Sequence, residues 1–306
     1  MSEQVGTPDW DDFRIALAIA RGGTVSAAAK QLGVDHTTVI RRVDRLERQL
    51  SAKLFDRRKT GYALTHAGNR VVASAEAMES AVVLNREMIG GSRSQLTGTV
   101  RIGAPDGFGS YFLASRLMKF ADLHPGLDLE LVATARLFSL SKREADIAIT
   151  LSMPKEGRIL GRKLLDYTLG LFASPTYLAK FPAITSRDDL PMHRFIGYID
   201  ELLFTPELDY LMQVSTKISP KFRSANLIAQ LNATQAGFGI AVLPHFMATA
   251  HPQLQPILPD TISISRSFWL LMHADSKDLA RIRAVADYIH ATAEQERTLF
   301  NSSYPG

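Results

Sequence analysis

The sequence predicts an α/β protein whose N-terminal part is all-α and winged, followed by a linker helix and a two-lobed α/β domain. Three observations support this fold class. Two helical segments flank a glycine turn before residue 50, a 4-3-4-3-4 spacing of mostly apolar residues runs from 71 to 89, and strand and helix signals alternate from residue 96 onward. We therefore expect a winged helix-turn-helix over 8–64, a linker helix and hinge over 65–95, and the α/β domain over 96–306.

The composition is that of a protein with large apolar cores, since 46% of the 306 residues are hydrophobic and 22% are charged. No run approaches the roughly 18 consecutive apolar residues of a membrane span, and the N-terminus is too acidic and polar for a secretory signal. The chain has no cysteine, which excludes disulfides, thiolate metal ligands and thiol catalysis. We expect a cytoplasmic protein without membrane contact.

The first fifty residues predict three helices. Residues 10–21 place apolar side chains on one face, and a glycine pair ends this segment. A second helix begins near Thr24 and ends at Gly33, the usual position of a C-terminal glycine. After a tight turn, Asp35 is placed to cap a third helix. Two short helices joined by a glycine turn form a helix-turn-helix.

Basic residues are concentrated between residues 30 and 70, where ten lysines and arginines stand against four acidic residues. Such a local excess is expected of a phosphate-binding surface. In a helix-turn-helix the second helix enters the major groove N-terminus first, so side chains at its start approach base edges and arginines one turn later reach guanines or phosphates. For Arg45 and Arg48 the sequence leaves open a backbone contact or pairing with Asp44 and Glu47. The candidate DNA-binding residues in the helices are Thr24, Ser26, Ala27, Asp35, His36, Thr37, Thr38, Arg41, Arg42 and Arg45.

The segment after the third helix predicts a wing. Short apolar strands at 54–55 and 62–64 flank a polar turn. The basic tip, made by Arg57, Arg58 and Lys59, is expected to lie along the phosphate backbone or in the minor groove.

At this point the sequence resembles a known family. The motifs AAAKQLGV, RLERQL, KLFDR and YALTHAG resemble the DNA-binding domain of LysR-type transcriptional regulators. The resemblance implies that His36, Thr37 and Arg41 read the operator sequence. Asp35 stands where serine is commoner, and Ile40 where a small polar residue is frequent, so the resemblance implies DNA binding but does not give the operator sequence.

A longer helix is predicted from Thr65 to Ile89, with a seam spaced like that of a coiled coil. The seam consists of Val71, Ala75, Met78, Val82, Asn85 and Ile89. The alternative is a helix packed on its own chain, but a narrow seam beside a DNA-binding domain favours a dimer. A dimer presents two recognition helices to a dyad-symmetric operator. Residues 90–94 are rich in glycine and polar residues and indicate a hinge.

From residue 96 strands and helices alternate, which predicts a mostly parallel, doubly wound sheet in two lobes. Predicted helices lie at 109–123, 137–142, 226–236 and 278–295, and predicted strands at 100–104, 127–133, 146–151, 168–173, 195–199, 217–223, 239–243 and 268–273. The motifs VRIGAP, HPGLDLELV, ADIAI, FASPTYL and QAGFGIAVLP resemble the effector domain of the same family, which is similar in fold to periplasmic solute-binding proteins. We expect lobe I at about 96–162 and 269–296, and lobe II at about 163–268.

A small-molecule effector is expected between the lobes, because ligands of open α/β sheets bind beyond the carboxyl ends of strands and near helix N-termini. The candidate effector-binding residues are Asp106, Phe108, Ser110, Thr134, Arg136, Tyr198, Phe204, Ser224 and Asn226. Arg136 suits an organic acid, whereas Asp106, Asp200 and Glu201 weigh against a strongly anionic ligand. The aromatic side chains either line a pocket for an aromatic compound or fill the core.

Two other classes of protein remain as alternatives. An enzyme of α/β fold is disfavoured because the sequence has no GxSxG elbow, HExxH zinc site or P-loop, and no cofactor or metal site is expected. A solute-binding protein with an incidental helix-turn-helix fits the lobes but leaves the DNA reader unexplained. The sequence therefore favours a regulator that binds double-stranded DNA and a small effector as a homodimer, or as a homotetramer, which the family resemblance implies.

Overall fold

The structure is a computed structural model that describes residues 8–58, 61–89, 96–136, 140, 144–154 and 158–301. For residues 57, 58, 80 and 83–89 it describes the backbone alone. The chain divides into two units, Met1–Arg93 and Ser94–Gly306. Within the described residues, no helix combines the length and apolar character needed to cross a membrane.

The first unit contains four helices and a two-stranded sheet among its described residues. These elements are α1 (Trp10–Gly22), α2 (Val25–Leu32), α3 (His36–Gln49), β1 (Phe55–Arg58), β2 (Gly61–Leu64) and α4 (His66–Ile89). The predicted helices and wing are thus confirmed.

Capping residues set the helix ends of this unit. The Thr24 hydroxyl accepts a hydrogen bond from the Ala27 amide and so caps α2. Gly33 ends the same helix with a φ of 65°, a left-handed conformation that glycine adopts without a steric cost. Asp35 occupies the N-cap position of α3, but its side chain makes no capping hydrogen bond, so the expected cap is wrong.

The core of the first unit lies between α1, α2, α3 and the wing. Its largest fully buried side chains include Ile19, Leu46 and Leu54. The start of α4 closes this core at Gly68, where an added Cβ would lie 2.0 Å from the Leu54 carbonyl oxygen. Because backbone cannot move aside as a side chain can, this position requires glycine.

The second unit is built around one sheet. Its strands are β3 (Gly98–Ala104), β4 (Leu127–Ala133), β5 (Ile147–Thr150), β6 (Ile159–Ala173), β7 (Phe195–Gly197), β8 (Pro220–Arg223), β9 (Ile240–Pro244), β10 (Gln255–Ile257) and β11 (Ile264–His273). Its α-helices are α5 (Asp106–Phe108), α6 (Ala114–Leu123), α7 (Pro175–Leu178), α8 (Leu211–Val214), α9 (Leu227–Gln235), α10 (His245–Ala248), α11 (Ala280–Gln295) and α12 (Arg297–Asn301). Short 3-10 helices lie at Arg187–Met192, Asp200–Leu202, Pro206–Leu208 and Ala274–Ser276.

The order of strands in this sheet is β4-β3-β5-β11-β6-β9-β7-β8, and β10 pairs with β6. We call the part around β3, β4 and β5 lobe I, and the part around β7, β8 and β9 lobe II. Neighbouring strands within each of these two groups are parallel.

The expectation of a mostly parallel sheet is wrong. Four of the eight pairings between the described strands are antiparallel, and each of these four involves β6 or β11. These two strands run from one lobe into the other and lie side by side, with a register shift between Phe268 and Trp269. The chain must pass between the lobes in both directions, which forces the two crossing strands to be antiparallel.

Several other boundaries differ from the sequence analysis. The helix expected at 109–123 begins earlier as α5 and passes through a π-helical segment, Gly109–Leu113, before α6. The strand expected at 168–173 is the second half of the 15-residue strand β6. The sequence analysis missed β10 and α12. The helix expected at 137–142 falls mainly on residues outside the described part of the chain.

Candidate nucleic-acid interface and interlobe cleft

The start of α3 presents an exposed polar surface. His36 and Thr37 are exposed and Thr38 is half-buried in the first turn. Most of the residues predicted beside them are also accessible: Thr24, Ser26 and Asp35 are exposed, and Ala27 is half-buried. The structure thus brings this part of the predicted set to the ends of two consecutive helices, where side chains can meet the edges of bases.

The arginines of α3 differ in how they are held. Arg41 is exposed, and the ion pairs formed among the described residues do not include it. Arg42 lies 3.2 Å from Asp11 and 3.7 Å from Asp12, both on α1. Arg41 therefore projects as an accessible cation, while Arg42 is directed back toward the protein.

Arg45 is held by Asp12, a partner that the sequence analysis missed. Its Nε and Nη2 donate to the two carboxylate oxygens at 2.7 Å and 2.6 Å. Asp12 is fully buried, and its hydrogen bond and charge raise the pKa of Arg45. The sequence left open a contact with the DNA backbone or a pairing with Asp44 and Glu47, whereas in the structure Arg45 pairs with Asp12, 33 residues earlier. This bidentate pair fixes α3 against α1.

Glu47 ties α3 to the first strand of the wing. Its Oε1 accepts hydrogen bonds from the Leu54 amide at 2.8 Å and the Phe55 amide at 3.4 Å, and its Oε2 lies 2.5 Å from Lys53 Nζ. Burial alone would raise the pKa of Glu47, but the Lys53 ammonium and the two amides outweigh it, so the pKa lies below its ordinary value. The carboxylate therefore stays charged and sets the angle at which the wing leaves the helix.

The wing is a short antiparallel hairpin. Phe55 pairs with Leu64 and Arg58 with Gly61, and the Phe55 ring packs edge-on against Tyr62 at 5.8 Å. The backbone of the predicted contacts Arg57 and Arg58 lies in β1, while Lys59 falls outside the described residues.

The predicted dimer seam on α4 has two parts. Val71 packs against the core of the first unit and Ala75 is fully buried, so these two are covered by their own chain. Met78 and Val82 are exposed by 42% and 49%. The side chains of the last two seam residues, Asn85 and Ile89, lie outside the described part of the structure.

In the second unit, Asp106 lies at the centre of the cleft between the lobes. It follows β3 of lobe I and is 6% exposed. Its Oδ2 accepts a hydrogen bond of 2.7 Å from the Leu227 amide at the start of α9 in lobe II, and its Oδ1 one of 3.0 Å from the Gly107 amide. Burial raises the pKa of Asp106, although these hydrogen bonds oppose the rise. The predicted ligand contact is thus a contact between the lobes.

Aromatic rings fill the space behind Asp106. Phe108 is 1% exposed, and its ring centroid lies 4.4 Å from that of Phe268. Phe300 of α12 is fully buried, with centroids 4.9 Å from Phe112 in lobe I and from Phe246 in lobe II. Phe108 therefore belongs to the core, and Phe300 packs against side chains of both lobes.

A second bridge between the lobes is polar. The Tyr111 hydroxyl lies 2.9 Å from His251 Nε2, and the Nδ1 of the same ring lies 2.8 Å from Gln235 Nε2. Tyr111 belongs to the π-helical segment of lobe I, whereas the other two residues belong to lobe II. Sequence reasoning missed this contact because it joins residues more than a hundred positions apart.

Three tyrosines form the wall of the cleft on the side of lobe II. Burial raises the pKa of Tyr210 to about 12, and it also raises the pKa values of Tyr167 and Tyr198 well above the ordinary value. All three hydroxyls are therefore neutral at physiological pH.

The other predicted cleft residues occupy different places. Asn226 caps α9 by accepting a hydrogen bond from the Ala229 amide. Arg136 pairs with Glu144 at 2.9 Å. Ser110 is exposed, and Thr134, Phe204 and Ser224 are half-buried. Of the predicted set, Asp106, Phe108, Tyr198 and Phe204 line one common cavity.

That common cavity is small, with a volume of about 20 Å³. A larger cavity of about 150 Å³ lies beside it in lobe II, lined among others by Tyr198, Asp200, Tyr210 and Arg223. No cluster of three histidine or acidic side chains with the arrangement of a metal site occurs among the described residues.

Both parts of the chain match known protein families. Residues 10–69 match the family described as bacterial regulatory helix-turn-helix protein, lysR family, and residues 93–294 match the LysR substrate binding domain. The Mau operon transcriptional activator of Paracoccus denitrificans is 26% identical over 283 residues, which cover 92% of this chain and 95% of that protein.

Solved structures share the whole fold. A full-length OxyR variant from Pseudomonas aeruginosa superposes with a TM-score of 0.68 at 18% identity, covering 94% of this chain and 97% of that one. Full-length LysG from Corynebacterium glutamicum, with its effector Arg bound, has a TM-score of 0.65 at 18% identity, covering 94% and 98%. With both family matches spanning most of its residues, this chain belongs to the LysR family of bacterial transcriptional regulators, and it carries that family's DNA-binding helix-turn-helix and effector-binding domain.

Proposed function

We propose that the exposed start of α3 reads a specific operator, with His36, Thr37 and Arg41 at the base edges. The observation that carries this proposal is the contrast among the arginines of α3. Arg45 is locked to buried Asp12, whereas Arg41 is exposed outside the ion pairs of the described residues. A guanidinium held in this accessible way can form the bidentate contact that guanine accepts.

The remaining predicted residues position the recognition helix by contacting the DNA backbone. Thr24 and Ser26 stand at the start of α2, where the first helix of the motif meets phosphates. Arg45 keeps Nη1 outside its pair with Asp12, which suits a phosphate contact. We assign Arg57, Arg58 and Lys59 to the phosphates beside the wing from their place in the sequence.

The protein acts as a homodimer in this proposal. Met78 and Val82 form an exposed apolar pair on one face of α4, one helical turn apart. Pairing of two such faces buries both, and it gives the two recognition helices the twofold symmetry of a palindromic operator. We further propose that two dimers assemble into a tetramer and that the protein acts in the cytoplasm, where the operator is.

The effector-binding domain supplies regulation. A small molecule that enters the adjoining cavity of about 150 Å³ meets Tyr198 and Tyr210, whose rings suit a ligand with an aromatic or apolar body. Binding would change the arrangement of the lobes, and the difference in affinity between the two arrangements would shift the DNA-binding state. A ligand-dependent change in the footprint on the operator tests this step, and a footprint that no cleft ligand alters would leave only constitutive DNA binding.

The test of DNA reading compares Arg41→Ala with Arg223→Ala, which removes an equal charge from the exposed face of β8. Binding to the region upstream of the encoding gene is measured by fluorescence anisotropy over a salt series. Loss of a bidentate base contact costs about 1–3 kcal/mol, roughly 5- to 150-fold in affinity, and should relax specificity at one base pair. Arg223→Ala should bind as the unaltered protein does. Normal specific binding by Arg41→Ala would show that α3 does not read the operator through this residue.

The dimer is tested separately. Met78→Glu combined with Val82→Glu places charge on the proposed face without touching the buried core, so the chain should sediment as a smaller species while its helix content is retained. Unchanged sedimentation would place the dimer contact elsewhere.

A further inference from the structure

The start of α9 is occupied by a carboxylate of the same chain. The Leu227 amide donates to Asp106 Oδ2 at 2.7 Å. The next amide, of Ala229, donates to Asn226 Oδ1 at 2.9 Å, and the first intrahelical bond runs from Gln230 to the Asn226 carbonyl at 3.2 Å. The free amides of a helix start attract a carboxylate, and here a carboxylate of the same chain accepts from the first of them.

This carboxylate comes from the opposite lobe. Asp106 directly follows β3 of lobe I and lies 121 residues before Leu227. A second amide, of Gly107, holds the other oxygen at 3.0 Å, so the side chain is fixed on both of its oxygens. The bridge thus has the geometry of a bound acid, but its acid is covalently attached to lobe I.

The lobes leave no room for a second acid at this point. The remaining cavity of about 20 Å³ holds about one water molecule. An added Cβ at Gly107 would lie 2.7 Å from Met247 Sδ and 3.0 Å from Leu227 Cδ2, both of lobe II. The lobes are therefore in direct contact around Asp106, and a carboxylate ligand would have to displace that side chain.

We propose that Asp106 is a built-in carboxylate ligand: it occupies the anion-binding start of α9, joins the two lobes, and excludes carboxylate effectors from this position. Removing the side chain should convert the position into a site for a small free carboxylate. This inference rests on the proposed function only in treating the cleft as the effector site. Within this regulator, Asp106 is then the residue that selects against acids and in favour of neutral or cationic effectors.

The test uses thermal unfolding of the full chain with sodium formate as the probe, and sodium chloride at the same ionic strength as the reference. Formate has the size of the carboxylate that Asp106→Ala removes. The Ala variant should unfold at a lower temperature than the unaltered protein, and formate should restore part of that loss in a saturable manner, since a ligand of the native state raises its stability. Acetate, larger by a methyl group, should restore less.

Two further variants complete the design. Asp106→Asn keeps the side-chain volume, so it should lower the unfolding temperature without any formate response, because the site remains filled and an amide NH₂ faces a backbone donor. Asp260→Ala removes an exposed carboxylate of the second unit that lines neither cavity, and this variant should behave as the unaltered protein does, with no saturable response. If Asp106→Ala does not fold, the Asn variant still decides between a bridging carboxylate and an incidental one.

Three results would overturn the proposal. They are an equal formate response in the unaltered protein, an Ala variant that folds but gains no more from formate than from chloride, and an Asn variant as stable as the unaltered protein. The measurement contains no DNA and no natural effector, so its outcome is independent of operator binding. Failure of the Arg41 test would leave this inference standing, and failure here would leave the DNA-binding proposal standing.

Discussion

The link between the recognition helix and the wing gives a prediction that can be worked from the structure. Glu47→Gln keeps the shape of the side chain and removes its charge. Glu47 is 7% exposed, and its carboxylate holds the Leu54 amide at 2.8 Å and Lys53 Nζ at 2.5 Å. Glutamine can still accept from Leu54 through its carbonyl oxygen, but it then turns an NH₂ group toward the ammonium of Lys53.

The expected loss is about 1–2 kcal/mol in the free energy of unfolding of the first unit. A hydrogen bond to a charged acceptor contributes about 1.5–3 kcal/mol and a neutral one about 0.5–1.5 kcal/mol. Lys53 is 76% exposed, so its ion pair adds only a few tenths of a kcal/mol. Glu47→Ala leaves the buried Leu54 amide without an acceptor, and its loss should reach about 3 kcal/mol.

The assay is urea unfolding of the full chain followed by tryptophan fluorescence. The chain has two tryptophans, Trp10 in α1 and Trp269 in β11, so a Trp269→Phe background makes Trp10 the reporter of the first unit. Asp35→Asn is the matched control, because its carboxylate at the start of the same helix makes no capping bond. It should change the stability by less than about 0.5 kcal/mol.

The pH dependence gives this prediction a second readout. The pKa of Glu47 is lowered in the folded protein, so its stabilisation is complete above the ordinary value of 4.5 and disappears as the pH falls through the lower folded value. The difference between the unaltered protein and Glu47→Gln should therefore narrow below about pH 4.5. A Gln variant as stable as the Asn control at pH 7, or a difference that persists in acid, would refute the role assigned to Glu47.

Two further predictions concern close packing. Gly68→Ala should destabilise the first unit by about 3 kcal/mol or more, because its Cβ would lie 2.0 Å from the Leu54 carbonyl oxygen. Gly33→Ala, which is strained in φ but free of contacts, should cost roughly 1 kcal/mol. Equal losses of stability in urea unfolding would contradict this ranking. Phe300→Ala should cost about 3–5 kcal/mol in the second unit, since the ring is fully buried between the lobes. Exposed Thr298→Ala on the same helix should be neutral, and a Phe300 variant equally neutral would show that α12 does not fasten the lobes.

Most of the features that could be predicted from the sequence depend on interactions between residues close together in the chain. The end of α2 at Gly33 and its start at Thr24 depend on hydrogen bonds within four residues, so a short window of sequence contains them. In the same way, β4 shows its exposed Asp128 and Glu130 in strict alternation because one face of that strand meets the core. Elements of this kind were found at or near their true ends.

Long-range partners account for what the sequence missed. The residues next to Asp12 in the sequence do not indicate that it will pair with Arg45. Those next to Asp106 do not indicate that its carboxylate will accept a hydrogen bond from the Leu227 amide. The sequence predicts a ligand contact for Asp106, since a polar residue after a strand has that role in an open cleft. Only the three-dimensional structure shows that the opposite lobe already satisfies it.

The strand order of the second unit has a consequence for the protein during its synthesis. In the sheet, β11 lies between β5 and β6, although it is made more than a hundred residues after β5. Lobe II can pair β6, β9, β7 and β8 as soon as residue 244 has left the ribosome, whereas lobe I keeps unpaired edges on β5 and β6 until Trp269–Met272 arrive. Exposed edges invite pairing with other chains, and contacts so distant in sequence form slowly. The nascent regulator therefore passes through a stage in which its later lobe is complete while the β5 edge of its earlier lobe is still open to pairing with other chains.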